Sequence, residues 1–140
     1  MKLSHLLSYI AICLIVLSGC DGQDEAARVA AAKPEVSVSA DEMIKDFWSD
    51  QGAANRKYKD KIIVVEGFVE SIESDGEMAS FSLDGDPAKA TEIGSPNISC
   101  DFEKPSDMPP VEIGDPVRIK GLREGRLSNM IMMGSCVKAD

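Results

Sequence analysis

The amino-acid sequence predicts a mainly β domain, a small five-stranded barrel that follows an N-terminal amphipathic helix. Ahead of Tyr58 the apolar residues recur at helical spacing, whereas after Tyr58 the chain divides into short β-rich runs separated by turn residues. Glycines interrupt the first and fourth of these runs, at Gly67 and Gly121, where a strand must bend or lie close to another backbone. Short strands with bending glycines favour closure into a barrel.

Residues 1–19 have the layout of a secretory signal peptide, with Lys2 ahead of the apolar run LLSYIAICLIVL. The segment LSGC, which ends at Cys20, resembles the bacterial lipobox, in which the signal is removed and the cysteine is acylated. We therefore expect Cys20 to be the lipidation site, and an uncleaved N-terminal anchor is the alternative. Either anchor attaches the protein to the bacterial cell envelope, facing the periplasm. Asp21, directly after the cysteine, favours the inner membrane.

Residues 20–38, CDGQDEAARVAAAKPEVSV, are rich in Ala and charge and contain no aromatic residue. Segments with so few large apolar side chains cannot offset the entropy of ordering the chain. The composition predicts a flexible tether. A short frayed helix from Glu25 to Lys33, ended by Pro34, is the alternative.

The folded domain, residues 39–140, is predicted to begin with a helix near Ala40. Ser39 and Glu42 have the spacing of a capping box. The apolar stripe of this helix consists of Met43, Ile44, Phe47 and Trp48. The helix weakens at Gly52 and resumes up to Tyr58, where the helical spacing ends.

Five β-rich runs follow: KIIVVEGFVESI, MASFSL, NISCDF, PVRIKGL and LSNMIMMGSCV. Asp75 and Gly76 predict a hairpin turn between the first two runs. In the fourth run, Val117 and Ile119 alternate with basic residues, which is typical of a half-buried strand.

Composition argues against several functions. The chain has 24 acidic and 15 basic residues and a net charge of −9, which repels polyanions, so nucleic acid is not an expected partner. The only histidine, His5, lies in the predicted signal peptide. Without it the chain has no Ser-His-Asp or Cys-His nucleophile pair and no histidine-ligated metal site. We therefore expect no enzyme, no catalytic residue, no cofactor and no metal.

An enzyme or cation binder would have to use acids such as Asp75, Asp84 and Asp86. The DGD stretch carries oxygen ligands, but it lacks the repeated acids and the distal Glu of an EF-hand loop. Turn formation explains these residues better.

Several segments resemble the tRNA_anti-like family of bacterial OB-fold lipoproteins: AANRKYKDKIIVVEGFVESI, Cys100 to Phe102, IGDPVRIKG and Leu127 to Cys136. The resemblance extends from Met43 to Val137. It departs at Gln51, Asn55 and Asp60, where such domains tend to carry acidic residues and a glycine. The resemblance implies an OB-fold, and the family name does not establish nucleic-acid binding.

The strand register implied by the resemblance points Ile63, Val65, Gly67 and Val69 into the barrel. Ile62, Val64 and Phe68 then face outward and need a cover. We expect the helical stripe to pack over this outer face or to cap a barrel end, with Trp48 buried in the core. A ligand or partner surface around the stripe is the alternative.

The third and fifth strands of an OB-fold are neighbours, so the resemblance also brings Cys100 and Cys136 close together. In an oxidising compartment this pair is expected to form a disulfide. Two buried free thiols and a redox-active pair are the alternatives.

The function that fits these observations is a non-catalytic, lipid-anchored binding or adaptor module for an envelope protein or a small polar ligand. The alternative is an oligonucleotide- or oligosaccharide-binding domain, which is the common use of the OB-fold. A basic stripe that includes Arg123 and Arg126 and a few candidate stacking aromatics would serve it. The candidate binding residues are Lys61, Phe68, Phe81, Arg118 and Lys120.

Overall fold

The computed structural model describes residues 24–88 and 94–140. The helices are α1 (Glu25–Ala31), α2 (Ala40–Ser49) and α3 (Gln51–Tyr58). The strands are β1 (Val36–Ser39), β2 (Ile62–Ser74), β3 (Ala79–Asp84), β4 (Asn97–Phe102), β5 (Pro116–Leu127) and β6 (Met130–Lys138). The predicted signal peptide and lipidation site, residues 1–19 and Cys20, lie outside the described residues.

Five strands form a closed barrel in the order β2-β3-β4-β6-β5, and pairing between β2 and β5 completes the ring. β4 and β6 run parallel, and the other barrel pairs are antiparallel. This arrangement is the Greek-key barrel of an OB-fold, so the predicted fold class is confirmed. The short strand β1 lies parallel to the first half of β2 and adds a sixth strand.

The interior of the barrel follows the expected register. Ile63, Val65 and Val69 of β2 are fully buried. A Cβ at Gly67 would lie 2.9 Å from the Cβ of Ala40, so only a glycine lets α2 approach the strand this closely. Gly121 permits a similar approach by β6.

A helical hairpin, α2 followed by α3, closes one end of the barrel. The hydroxyl of Ser39 accepts from the Glu42 amide at 3.2 Å, so the predicted start of α2 at Ala40 is confirmed. Asp50 caps α3 in the same way, accepting from the Ala53 amide at 3.0 Å. The buried face of the hairpin joins the barrel core through Met43, Phe47, Ala54 and Tyr58.

The prediction that Trp48 belongs to the core is wrong. Trp48 is 41% exposed. It lies next to Phe47 in α2, and Phe47 takes the core position, so the indole points toward the solvent side of the helix. The guanidinium of Arg126 lies over the indole, with Cζ 4.0 Å from the ring centroid.

The flexible tether predicted over residues 20–38 is not what the structure shows for residues 24–38. These residues form α1 and most of β1, and Val29 of α1 is fully buried. The helix is held by distant parts of the chain: Glu103 accepts from the Ala26 amide at 3.1 Å, and Lys104 Nζ lies 2.9 Å from Asp24 Oδ2. Such contacts are invisible to local composition.

Helix α1 packs on the outer side of β5 and β6. The stripe of α2, expected to cover the outer face of β2 or to cap a barrel end, does the second through Met43 and Phe47. The side chain of Lys120 donates to the carbonyl oxygens of Ala30 and Ala32 at 2.7 and 3.0 Å, which places the end of α1 beside β5. Val64, the register partner of Lys120, is buried. Within residues 24–88 and 94–140, no helix has the length and apolar character needed to cross a bilayer.

The predicted disulfide is wrong, because Cys100 and Cys136 are both buried free thiols. Their strands are neighbours as expected, with Cys100 paired in register with Met133, and the two thiols interact in the core without a bond between the sulfurs. The Cys136 thiol donates to the carbonyl oxygen of Met133 at 3.5 Å. Burial raises the pKa of the Cys136 thiol, which keeps it protonated.

Candidate functional site

A groove of about 760 Å³ lies where the middle of β2 meets the start of β5. Its apolar surface comes from Phe68 and Val117 on the strands and from Pro109, Pro110 and Val111 on the loop that leads into β5. Phe68 is half-buried on the strand, which leaves part of its ring available to a ligand. A mostly apolar concavity with a few polar groups is the usual form of a binding site.

The loop over residues 109–115 forms a fixed wall of this groove. The amide of Gly114 donates to the carbonyl oxygen of Val69 at 2.7 Å, and the amide of Val69 donates to that of Asp115 at 3.0 Å. The Asp115 carboxylate accepts from the Glu112 amide at 2.8 Å, which closes a local turn. Because the end of the loop that leads into β5 is bonded to β2 and to itself, this wall of the groove is in place before any ligand binds.

The charges at the polar end of the groove balance one another. Arg118 Nε lies 2.7 Å from Glu66 Oε1, and the same guanidinium donates to the carbonyl oxygen of Asp140. Lys138 and Asp115 contribute one further charge of each sign. A groove of this kind selects by shape and hydrogen bonding more than by net charge.

Two of the predicted binding cations are used to cap helices. Lys61 Nζ donates to the carbonyl oxygen of Lys57 at 2.7 Å, at the end of α3. Lys120 makes the two bonds to α1 described above. Cations at helix C-termini satisfy free carbonyl groups and the helix dipole, so neither lysine lines the groove. Of the predicted basic residues, Arg118 alone among the described residues lies in it.

Phe81, the second candidate stacking aromatic, is a core residue. It is 1% exposed, and its ring centroid lies 5.0 Å from that of Phe102. It faces the barrel interior because it alternates with the outward residues Ser80 and Ser82 along β3. Its assignment as a binding residue is therefore wrong.

The outer face of β3 and β4 carries hydroxyl and carboxylate groups. This is the face that OB-folds commonly use for oligonucleotides. Burial, and then the nearby charge of Glu73, raises the pKa of Asp101. By alternation with the buried positions, the outward residues are Ser80, Ser82, Asp84, Asn97, Ser99 and Asp101. A phosphate backbone would meet acids here and no cation or stacking ring.

The acids weighed as cation ligands hold turns. Asp75 Oδ1 accepts from the amides of Glu77 and Met78, at 3.0 and 2.9 Å. Asp84 Oδ1 accepts from the Asp86 amide at 3.1 Å. Within the described ranges, no group of three or more His, Cys, Asp or Glu side chains is arranged to hold a metal ion.

The sequence pattern does not predict the groove. Pro109 and Pro110 indicate a loop that cannot pair as a central strand. Nothing local shows that this loop folds back on β2 through Val69. Phe68 is the one predicted aromatic that the structure does place in the groove, together with Arg118.

Comparison with known proteins identifies one family. The tRNA_anti-like family model matches residues 1–137. No curated protein sequence matches the chain.

Two solved structures align with the chain at low similarity. A protein described as an aspartyl-tRNA synthetase from Leishmania major Friedlin aligns with a TM-score of 0.47 and 12% identity, covering 73% of this chain and 19% of that chain. The S. pombe Stn1–Ten1 complex aligns with a TM-score of 0.34 and 12% identity, covering 79% of this chain and 81% of that chain. At such low similarity, neither structure adds to what the barrel topology shows.

Proposed function

The chain belongs to the tRNA_anti-like family, and on that basis we propose that it is a non-catalytic binding module of the bacterial cell envelope. Its OB-fold binds a segment of another envelope protein or a small polar ligand. Lipid on Cys20 attaches it to the membrane, facing the periplasm, with Asp21 favouring the inner membrane.

The observation that carries this proposal is the preformed groove beside Phe68. Its volume of about 760 Å³ suits a short peptide segment or a small organic ligand. A peptide or polar small molecule could use both ends of the groove, its apolar part against Phe68 and Val117 and its polar part at Arg118. The fixed loop lowers the entropy cost of binding, because little of the wall has to be ordered.

The arrangement of charges argues against an oligonucleotide ligand. Nucleic-acid affinity depends on Lys and Arg side chains that neutralise phosphates. Lys61 and Lys120 already bond to helix carbonyls, and Arg118 pairs with Glu66. The remaining face of β3 and β4 is acidic.

An oligosaccharide remains the second candidate, and one observation favours it. Across β3 and β4, Ser82 pairs with Ser99 and Ser80 pairs with Asp101, and the hydroxyls of Ser80 and Ser82 are partly exposed beside the Asp101 carboxylate. Neutral hydroxyls and carboxylates are suitable partners for the hydroxyl groups of a sugar.

The proposal that the module is not an enzyme rests on the chemistry of its groove. The carboxylate of Glu66 is paired with a guanidinium, and that of Asp115 holds the loop. Glu66 lies across from Ser39 in the register of β1 and β2, and the Ser39 hydroxyl is engaged as the cap of α2. The groove can therefore hold a ligand but has no evident proton donor and acceptor pair.

A photocrosslinking experiment in the native envelope tests this function. We place benzoylphenylalanine at Phe68, where the aromatic ring is kept, and in a matched variant at Ile113. Ile113, on the loop of residues 109–115 beside the groove, is 68% exposed but does not line the groove. We expect a discrete adduct from position 68 and none from position 113.

The same experiment separates the two ligand classes. A protein adduct at position 68 supports the adaptor function. For a small ligand, native mass spectrometry of the purified full-length protein should show a bound species that Phe68→Ala removes. Equal adducts at both positions, or no adduct at position 68 together with no bound species sensitive to Phe68→Ala, would refute a ligand in the groove. A Cys20→Ala variant that stays membrane-bound would refute the lipid anchor.

A further inference from the structure

Two exposed apolar side chains lie at separate places on the barrel, each beside charges. Trp48, 41% exposed, lies beneath the guanidinium of Arg126; these two residues are the Trp48 patch. Met78, 70% exposed, lies beside three acids. Exposed apolar groups bordered by charge are typical of contact surfaces.

The Trp48 patch carries a positive charge that nothing nearby cancels. Arg126 Nε donates to the carbonyl oxygen of Ser128 at 3.0 Å, and Nη1 donates to Gln51 Oε1 at 3.2 Å. Both acceptors are neutral, and no carboxylate within residues 24–88 and 94–140 forms an ion pair with Arg126. The guanidinium is held rigidly against the indole and still lacks a counter-charge.

A second concavity, of about 480 Å³, carries the opposite charge. We call it the Met78 cleft, and the residues that matter here are Glu73, Asp75, Met78 and Asp101. The bonds from the Glu77 and Met78 amides to Asp75 hold the tip of the β2–β3 hairpin in one conformation. In the described residues, neither Glu73 nor Asp101 has a cation as partner.

The two surfaces cannot meet within one molecule. β5 pairs with the start of β2 through Leu122 and Ile62, and Arg126 lies beyond that end. Met78 lies beyond Ser74, at the other end of the 13-residue strand β2. The barrel therefore presents one surface at each end of its longest strand.

We propose that the Trp48 patch of one copy docks into the Met78 cleft of a second copy. Arg126 of the first copy pairs with the carboxylates of Glu73 and Asp101 of the second. Trp48 packs on Met78, whose sulfur makes favourable contacts with aromatic rings. Because the two surfaces differ, the contact is head-to-tail and produces rings or open chains.

Charge complementarity is the reason to choose a second copy as the occupant. Each surface supplies what the other lacks. The Trp48 patch has a cation beside an indole ring, and the Met78 cleft has carboxylates beside a thioether. Arg126 and the turn at Asp75 are held by hydrogen bonds before contact, so docking has to order only the side chains of Met78 and Glu73. The contact is small, and we expect assembly to be weak and concentration-dependent. It requires neither the groove nor the lipid.

Sedimentation equilibrium of the full-length chain in density-matched detergent tests the proposal with two variants, each of which reverses one charge at the contact. In Arg126→Glu, the new glutamate of one copy faces Glu73 of the next. In Glu73→Lys, the new lysine faces Arg126 of the next copy. Like charges then repel, so each variant alone should sediment as a monomer. An equimolar mixture should recover the concentration-dependent mass of the parent, because each variant's altered surface matches the other's. Recovery on mixing cannot come from a purely structural effect.

Matched controls carry the same charge changes elsewhere. Lys59→Glu, near the far end of α3, and Glu112→Lys, on the groove loop, should assemble like the parent, and circular dichroism should show all four variants folded. Trp48 is the only tryptophan of the chain. Its emission should shift to the blue as the parent assembles, and Glu73→Lys should abolish the shift although Glu73 is distant in the same molecule.

The proposal fails if the parent stays monomeric at all concentrations up to about 1 mM, the edge of weak association. It also fails if either charge variant assembles like the parent, or if the mixture remains monomeric. Assembly that is equally sensitive to the two control substitutions would indicate a general charge effect and would overturn it as well.

Discussion

Asp46 joins the two helices of the hairpin. Its Oδ2 atom lies 2.8 Å from Lys57 Nζ and accepts from the Tyr58 hydroxyl at 2.6 Å. These two bonds lower the pKa of Asp46, the one from Lys57 most. Burial raises the pKa of Tyr58 to about 12, so its phenol remains a donor across the acidic and neutral range.

We predict that Asp46→Asn lowers the free energy of unfolding by about 1–2 kcal/mol at neutral pH. Because the folded pKa of Asp46 is depressed, its stabilising effect is present above the unfolded pKa of about 3.9 and is lost as pH falls through the folded value. Urea titrations between about pH 7 and pH 2 should show parent and variant converging in acid. A difference that persists unchanged at the acidic end would contradict this account.

Phe68 and Phe81 differ in burial, so removing each ring should have a different effect on stability. Phe81→Ala empties a fully enclosed site and should cost about 3–5 kcal/mol of stability. Phe68→Ala removes a half-buried ring and should cost about 1 kcal/mol, while weakening ligand binding in the groove. Urea unfolding of the two variants, compared with the parent, distinguishes them. Similar losses for both would mean that Phe68 is a core residue and not part of a ligand surface.

At the scale of elements, α1 is held by residues that are distant from it in the sequence. It is capped by Asp24, whose Oδ1 accepts from the Ala27 amide at 3.2 Å, and its far end is bonded by Lys120. Ala26 and Val29 form its buried face. A seven-residue helix is not stable in isolation, so α1 depends on packing against the barrel.

We predict that Val29→Ala costs about 2 kcal/mol, because it leaves a cavity between α1 and the barrel. Ala30→Ser, on the exposed side of the same helix, should have a small effect and serves as the control. Hydrogen exchange would show the α1 amides losing protection in the Val29 variant. If the two variants were equally stable, α1 would be a peripheral helix whose docking contributes nothing.

At the scale of the whole molecule, docking of α1 changes how the barrel is attached to the proposed anchor. The described residues begin at Asp24, and four residues span at most about 14 Å from Cys20. If Cys20 carries lipid, the barrel lies close to the membrane surface, since α1 is itself held against β5. The predicted tether of residues 20–38 would have allowed a much longer reach.

This geometry makes a measurable prediction. A flexible spacer of twelve Gly and Ser residues, inserted between Gly22 and Gln23, should extend the reach by about 20 Å without changing the fold. Energy transfer from Trp48 to dansyl-labelled lipid headgroups in liposomes should therefore fall. The same spacer added after Asp140 should leave the transfer unchanged. Equal transfer from all three proteins would mean that the barrel is not held close to the membrane through α1.

Local chemistry by itself determined α2, α3, the five barrel strands and the mainly β class, but not α1 or β1. Ser39 caps α2, alternation divides Ile62 to Ser74 into inner and outer faces, and glycines stand at the close approaches at Gly67 and Gly121. These features depend on residues a few positions apart, which is the range over which capping, periodicity and turn formation act. The barrel was therefore predictable, as was the hairpin of α2 and α3.

Only the tertiary structure decided which side chains remain available for binding. Lys120 and Ala32 are bonded across a sequence separation of 88 residues, and Arg126 and Gln51 across 75. Such contacts turned predicted ligand-binding cations into helix caps, a predicted tether into a docked helix, and Trp48 from a core residue into a surface one. Burial is set by the chain as a whole, so the groove at Phe68 could be recognised only once the loop of residues 109–115 had folded onto β2.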